Sequence, residues 1–396
     1  MTPARDPAPR NLVLVCVAMG VSFVAQTLLM LAVPLHAVRL GASPAVVGLL
    51  VSTAFAVPTV FAIPMGRLVA RLGVRRMMAF GAVGMAVGPL AVWVLPGLGG
   101  LAFMQFVVGT SQLAMGLAAQ ATIAASGRGP SLERAFGWYT TVAALGQMLG
   151  PLLGGALLEA SGPSAAYGAA AALPLASLAS ALALSVPRGT RSPTGRGRLG
   201  YAAQVALLRA NVAVQASLLL TIAVLGAFVL HAAFFAVYLE GMAIGAAAIG
   251  LLVSLRSLAA MLVRPFTAWA IARLGGRPRA MLVLVAAMAA ALTATGVVSG
   301  LVALGVAAVV LGVATGLGQP LTLVILSEHV EPGERPSALG LRLTVNQGTQ
   351  LLAPMALGVV AQAIGYGAAF VVAGLAMAAL AAAMVRVAAA MARAGS

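Results

Sequence analysis

Twelve apolar stretches of about 20 residues, each long enough to cross a bilayer as a helix, alternate with short polar connections along the chain. They run over 11–35, 45–65, 77–95, 101–125, 136–158 and 165–186, and then over 211–237, 247–271, 280–298, 301–326, 338–363 and 368–387. The pattern predicts an all-α polytopic membrane protein of twelve transmembrane helices. Between the sixth and seventh stretches lies PRGTRSPTGRGRLGYAAQVALLR, the one long polar interruption. Its Pro, Gly, Ser and Arg content reads as a flexible tether, with a short interfacial helix from Leu199 onward. It divides the chain into a six-helix bundle over 1–186, a basic linker over 187–210 and a second six-helix bundle over 211–396.

The two bundles share one plan. GLLVSTAFAVPTVFAIPMGRLVARLGVR, starting at Gly48, aligns without a gap on GLLVSLRSLAAMLVRPFTAWAIARLGGR, starting at Gly250. Each copy is an apolar span followed by an arginine-rich loop, which marks an internal duplication. If matching loops face the same side of the membrane, each half holds an even number of spans.

Composition agrees with that reading: 62% of the 396 residues are hydrophobic and 8% charged. The formal charge of +16 would suggest nucleic acid in a soluble chain. Here every basic residue apart from the histidines is an arginine set between apolar runs, so the partner is anionic lipid and not nucleic acid. Arginines crowd one set of loops, while the opposite set carries only Arg39. The asymmetry places both termini and the central linker in the cytoplasm, in the inner membrane of a bacterium as the lysine-free composition suggests. Cys16, the single cysteine, lies within an apolar run, which rules out an intramolecular disulfide. The polar start of the chain leads into a span of full length, so that span reads as a retained first helix.

Paired six-helix bundles in parallel repeat, joined by a basic loop, resemble the major facilitator superfamily of secondary transporters, and the resemblance covers the whole chain. After the second span the family's loop signature GxLxDRxGRR is matched by Gly66, Leu68, Arg71, Gly73, Arg75 and Arg76, with Arg273, Gly275 and Arg277 in the second copy. The signature's aspartate is replaced by Ala70 and Ala272. In the fifth span GQMLGPLLGG fits the pattern GxxxGPxxGG at Gly146, Gly150, Pro151, Gly154 and Gly155, which looks like the antiporter motif of twelve-helix drug/proton exporters. Small residues four apart admit a neighbouring backbone, and the proline bends the helix. The matching stretch of the second half keeps Pro354 and Gly358. In the fourth span Gln105 stands where such exporters carry an arginine four residues before a glycine, here Gly109.

Ionisable groups inside a bilayer cost roughly 2.5–3.5 kcal/mol each on insertion scales, so each asks for a partner or a role. None of the seven acidic residues falls at mid-depth; Glu159 and Glu240 lie at outer helix ends. The deep charges are positive. Arg256 sits near the middle of the eighth span, with Glu240 or an anionic group on a substrate as its partner. Arg264 and Arg342 lie nearer the cytoplasmic face, where they would snorkel or meet helix ends. His231 is the histidine well inside a helix. Its simplest state is a neutral ring bonded to a backbone carbonyl, and its titration range makes it the best proton carrier available. His36 and His329, at span ends, read as solvated. The resemblance implies that helices one, four, seven and ten face a central cavity. That favours Gln26, Gln112, His231 and Gln319; with Arg256 of the eighth span and Asn346 of the eleventh they make the candidate lining, and His231, Arg256 and Glu240 are the coupling candidates.

The expectation is a secondary active transporter, monomeric and free of cofactors and metals, that exports a small amphiphilic or drug-like compound by alternating access with protons as the coupling ion. One alternative is uptake or exchange of an anionic metabolite recognised by Arg256. Another, of a different class, is a non-transporting membrane sensor or lipid-handling protein. Enzymatic activity has no foothold: no phosphate loop, metal cluster, or nucleophile beside a base is present.

Overall fold

A computed structural model describes residues 7–125, 130–185, 208, 211–330 and 335–394. Apart from Leu208, the linker from residue 187 onward lies outside the described residues, as do Arg5, Asp6, Arg128, Glu331 and Glu334; so do the side chains of Glu133, Glu328 and His329. Among the described residues all regular structure is helical: α1 (Pro7–Arg39), α2 (Pro44–Leu72), α3 (Val74–Val87), α4 (Ala91–Val94), α5 (Leu98–Ala125), α6 (Pro130–Leu182), α7 (Val212–Gly241), α8 (Ala246–Val263), α9 (Thr267–Arg273), α10 (Arg277–Val297), α11 (Leu301–His329), α12 (Arg335–Ile364) and α13 (Tyr366–Ala394).

Thirteen helices give twelve spans because prolines and one glycine redraw the boundaries. The third span is α3 and α4 joined by a 3-10 turn over Gly88–Leu90, and the eighth is α8 and α9 joined by another over Arg264–Phe266. Pro89 and Pro265 lack the amide that would continue the α-helical ladder, so the turn tightens. In the opposite sense, α6 carries the fifth and sixth spans without a loop between them. Its direction changes at Gly162, whose φ of 77° and ψ of −176° suit glycine, and Pro163 starts the next helix with φ already set. Ten stretches of the described chain are long and apolar enough to cross a membrane, Arg134–Leu182 among them as one. The eleventh span, α12, falls below that hydropathy because it carries Arg335, Arg342, Asn346, Gln347 and Gln350.

The chain forms two compact units. Unit 1 gathers Met1–Ala42, Thr53–Gly195 and Ala243–Ser254; unit 2 gathers Ser43–Ser52, Arg196–Met242 and Leu255–Ser396. Each unit therefore includes the leading turns of one copy of the repeated GLLVS segment that the sequence assigns to the other half.

In unit 1, α1 packs along α6 and also touches α5, while α3 packs against α5 and α6. Short polar groups stitch these helices at depth. Ser177 donates to the Ala18 carbonyl (2.8 Å) and bonds the Ser22 hydroxyl (3.1 Å), and Thr27 donates to the Gly146 carbonyl (2.9 Å). Asn11 ties the start of α1 to the end of α6 by donating to the Ser185 carbonyl (2.8 Å) and accepting its amide (3.1 Å). His36, expected in solvent, instead shares a hydrogen bond of 2.9 Å with the buried hydroxyl-bearing ring of Tyr167.

In unit 2, α7 is the hub, touching α11, α12 and α13, with α10 packed against α11 and α13. It is enclosed on almost every side, which fits a span whose apolar residues run round its whole circumference. Large side chains such as Val94 in unit 1 and Val302 in unit 2 stay exposed, as surfaces that face lipid do.

Candidate substrate site

The repeated loop takes the same local shape twice. Gly73 and Gly275, equivalent in the duplication, have φ of 85° and 83°, a left-handed conformation open to glycine and costly for a side chain. Arg71, Arg75, Arg76 and Arg273 are exposed around these turns, Gly66 has open space beside it, and the Arg273 guanidinium lies 5.7 Å from the Trp269 ring. Arg277 is partly exposed at the start of α10. With alanine at positions 70 and 272, the loops are cationic turns with no acidic residue of their own.

In unit 1 the glycines of the fifth span act as docking points. A Cβ on Gly146 would lie 2.5 Å from Phe23 Cβ and 2.9 Å from the Gly20 carbonyl oxygen; on Gly150 it would lie 2.6 Å from the Val24 oxygen and would overlap Thr27; on Gly154 it would sit 3.2 Å from Leu28. Three of the four glycines thus face α1, one turn apart, as the four-residue spacing dictates. The fourth turns elsewhere. Gly155 meets the Ala246 carbonyl and Gly250, and Gly250 in turn meets the Pro151 carbonyl. Nearby, Glu159 accepts the Ala247 amide of α8 (2.7 Å) and Ser254 donates to the Met148 carbonyl (2.6 Å).

Unit 2 contains the same arrangement built from the other copies. Gly48 meets the Pro354 carbonyl and Gly358, Gly358 meets Pro44 and Ala45, and Ser43 donates to Gln362 (3.1 Å). The leading turns of α2 therefore close on α12 as those of α8 close on the fifth span. The three glycines of the antiporter-like pattern that lack counterparts in the second half, Gly146, Gly150 and Gly154, are those that face α1.

The buried charge lies in unit 2. Arg256 is 3% exposed. Its guanidinium sits 4.5 Å from the centroid of the Phe228 ring and donates weakly to the Ser257 hydroxyl (3.3 Å), while Nε has no acceptor. A desolvated cation–π contact is worth about 2 kcal/mol, comparable to the insertion cost of roughly 2.5–3.5 kcal/mol. Aromatic contact thus stands where a carboxylate would otherwise balance the charge. The Arg256 backbone is itself held close, its carbonyl against Gly312 of α11. In the repeat Arg256 corresponds to Ala54, whose carbonyl meets Gly109 in the same manner, so the charge is an addition in one half only.

His231 is fully buried, stacked on Phe235 with centroids 4.0 Å apart, and within electrostatic reach of Arg256. Neither ring nitrogen has a hydrogen-bond partner. The carbonyl bond expected for it is absent; the preceding turns of α7 keep their own carbonyls in the helical ladder, and the ring packs along the helix on Phe235.

The remaining polar candidates separate. Gln26 on α1 and Gln112 on α5 are partly exposed in unit 1, the Gln112 Oε1 without a donor. In unit 2 Gln319 accepts from Arg264 (2.8 Å), and Arg342 donates to Thr322 (3.1 Å). Both arginines thus reach inward to side chains of α11, not along the helix to the interface as snorkelling would have them. Asn346 accepts from Gln350 of its own helix. Phe228 and Ser257 were not singled out by sequence; Phe228 lies one turn before His231, a spacing that could have pointed to it. Among the described residues no group of three His, Cys, Asp or Glu side chains could hold a metal ion.

A family model described as Major Facilitator Superfamily matches residues 15–245 and 216–393. The chain belongs to that superfamily. Solved structures of superfamily fold agree over nearly the full length. The nucleoside transporter NupG aligns with a TM-score of 0.77 at 16% identity, covering 95% of this chain and 98% of that one. A bacterial homologue of the human lysosomal transporter Spinster, inward-facing and unoccupied, aligns at 0.73 and 17% identity, covering 98% and 96%. A POT family transporter in complex with a thioalcohol-conjugated peptide aligns at 0.77 and 13% identity, covering 96% and 95%. At such identities the likeness concerns the fold. No curated protein matches by sequence. Superfamily membership makes the chain a multi-pass membrane transporter of small molecules, a class that does not work by enzymatic turnover.

Proposed function

We propose that the chain exports a small amphiphilic or drug-like compound by alternating access, its two sequence halves rocking about a cavity near the bilayer middle, driven by an ion gradient with protons as the coupling ion. The observation that carries this reading is the packing of the fifth span. Its glycines seat α1 on one side and the start of α8 on the other, so one helix links a static contact to a contact that must part when that side of the transporter opens. The matching closure of α2 on α12 supports two such gates. Sidedness follows the arginines: both termini cytoplasmic, in a bacterial inner membrane, with the chain acting as a monomer. Cells lacking the gene should accumulate more of the exported compound and become more susceptible to it. Unchanged accumulation and susceptibility across a broad compound panel would overturn export.

A second reading is favoured by Arg256, a buried cation whose partners are an aromatic ring and a hydroxyl. In that reading the cargo carries a carboxylate or phosphate that completes the site, and transport is uptake or exchange of an anionic metabolite. Selective loss of anion binding in Arg256→Gln supports it. A non-transporting sensor or lipid-handling protein fits less well, because a duplicated gate has a use in alternating access and none in a static receptor.

A further inference from the structure

We propose that Arg264 and Arg342 form a binding site for a phosphoryl dianion, the two guanidinium groups being hung on a single turn of α11 by Gln319 and Thr322. Gln319 Oε1 accepts from Arg264 Nη2 at 2.8 Å, and Thr322 Oγ1 accepts from Arg342 Nε at 3.1 Å. Residues three apart on a helix are neighbours, about 5–6 Å between Cβ atoms, so the two guanidiniums converge on one patch of α11 from different helices. The turn is fixed. Ser217 of α7 donates to the Thr322 carbonyl (2.7 Å), and the Thr322 hydroxyl donates to the Gln319 carbonyl (2.8 Å), which leaves its lone pairs for Arg342.

The hydrogen-bond inventory is one-sided. A guanidinium has five N–H donors, and each arginine uses one on a neutral oxygen. Arg264 Nε is buried with no acceptor, and Gln319, with its oxygen engaged, offers its amide N–H groups. Neither arginine pairs with a carboxylate among the described residues, and all of Arg264, Gln319 and Arg342 are partly exposed. A patch with two like charges and only donors is complemented by an oxyanion, and two forks on one turn suit a tetrahedral group of charge near −2 with three acceptor oxygens. The site is separate from Arg256 and from the gates. That its ligand is cargo rests on the transport reading; that it binds a phosphoryl group does not.

The phosphoryl group could belong to an organic solute or to a lipid headgroup, and calorimetry on the full chain separates them. Purified in a neutral detergent, the chain should bind phenyl phosphate and bind the monoanion benzenesulfonate more weakly. Arg264→Gln and Arg342→Gln should each weaken phenyl phosphate binding by about tenfold or more, as loss of a charge-assisted bond implies. Arg264→Lys and Arg342→Lys guard against misfolding and should restore part of the affinity, whereas Arg386→Gln at an exposed position should leave it unchanged. In nanodiscs, stabilisation by phosphatidic acid over phosphatidylcholine, lost in both glutamine variants, with no phenyl phosphate binding, would assign the site to lipid. Equal affinity in wild type and in the four variants at Arg264 and Arg342 overturns the proposal. So does the absence of binding up to about 10 mM phenyl phosphate together with no phosphatidic acid effect. A chain that binds through both arginines but moves no solute keeps the site and loses the transport reading; one that transports while failing both binding arms does the reverse.

Discussion

Adding one methyl group to the fifth span should expose how closely it is fitted to α1. In Gly150→Ala the new Cβ would lie 2.6 Å from the Val24 carbonyl oxygen and 2.8 Å from the Leu28 amide nitrogen, and would overlap Thr27 Oγ1. Two of those atoms are backbone, so relief requires the helices to separate. Overpacking of this kind costs about 1–3 kcal/mol. Separation also stretches the bond from Thr27 to the Gly146 carbonyl, worth about 0.6 kcal/mol in a membrane protein. A destabilisation of roughly 2–3 kcal/mol follows. Gly146→Ala meets Phe23 Cβ at 2.5 Å and the Val24 amide at 3.0 Å and should come next. Gly154→Ala, whose nearest neighbour is Leu28 Cγ at 3.2 Å, should be mildest because a side-chain tip can move. Gly168→Ala has nothing within 4 Å and should be neutral or stabilising by up to about 1 kcal/mol through helix propensity. Denaturant titration in mixed micelles, read by circular dichroism, gives the order. If Gly150→Ala proved as stable as Gly168→Ala, or no worse than Gly154→Ala, the close seating of these helices would be refuted.

Three further outcomes are expected. Replacing Arg256 with Met should leave stability unchanged or raise it by about 1–4 kcal/mol, since a buried charge without a carboxylate is removed, yet should abolish discrimination in favour of anionic cargo; binding assays with normal anion affinity in this variant would dismiss Arg256 as a recognition group. Glu159→Ala removes the carboxylate that accepts the Ala247 amide, a loss of about 1 kcal/mol typical of helix caps, so hydrogen exchange over 243–254 should speed up by about fivefold, and unchanged exchange would count against the cap. His231→Phe keeps an aromatic ring beside Phe235 and should preserve downhill exchange while removing acceleration by an imposed pH gradient in proteoliposomes; equal acceleration would eliminate His231 as the proton carrier.

The periodicity and the duplication made the fold readable. Spans of spanning length, the equivalence of Gly48 with Gly250 and the turn glycines Gly73 and Gly275 all follow from local pattern, and each reappears in the structure. The site was less readable, because its partnerships depend on which helix a side chain meets. Sequence placed Arg256 at depth but could not supply Phe228, a residue in another helix whose ring replaces a carboxylate. It set Arg264 and Arg342 on the cytoplasmic side and sent them to the interface, whereas Gln319 and Thr322 draw them inward. Sequence leaves His36 in solvent because its partner, Tyr167, lies far along the chain. The breaks at Pro89 and Pro265 and the turn at Gly162, where the backbone changes from within a span, were not legible in the apolar pattern.

The reciprocal contacts carry a historical implication. Gly48 against Pro354 and Gly358, and Gly250 against Pro151 and Gly155, are one and the same interaction made with the roles of the two repeats exchanged. Such a contact is what an isologous dimer makes twice about its symmetry axis, so a half-length ancestor could have assembled with itself through this surface before fusion made the two copies a single polypeptide. Fusion then freed each copy to diverge, and the arginine at 256 opposite the alanine at 54 is what that freedom looks like: a charge no symmetric pair could have carried on one side alone.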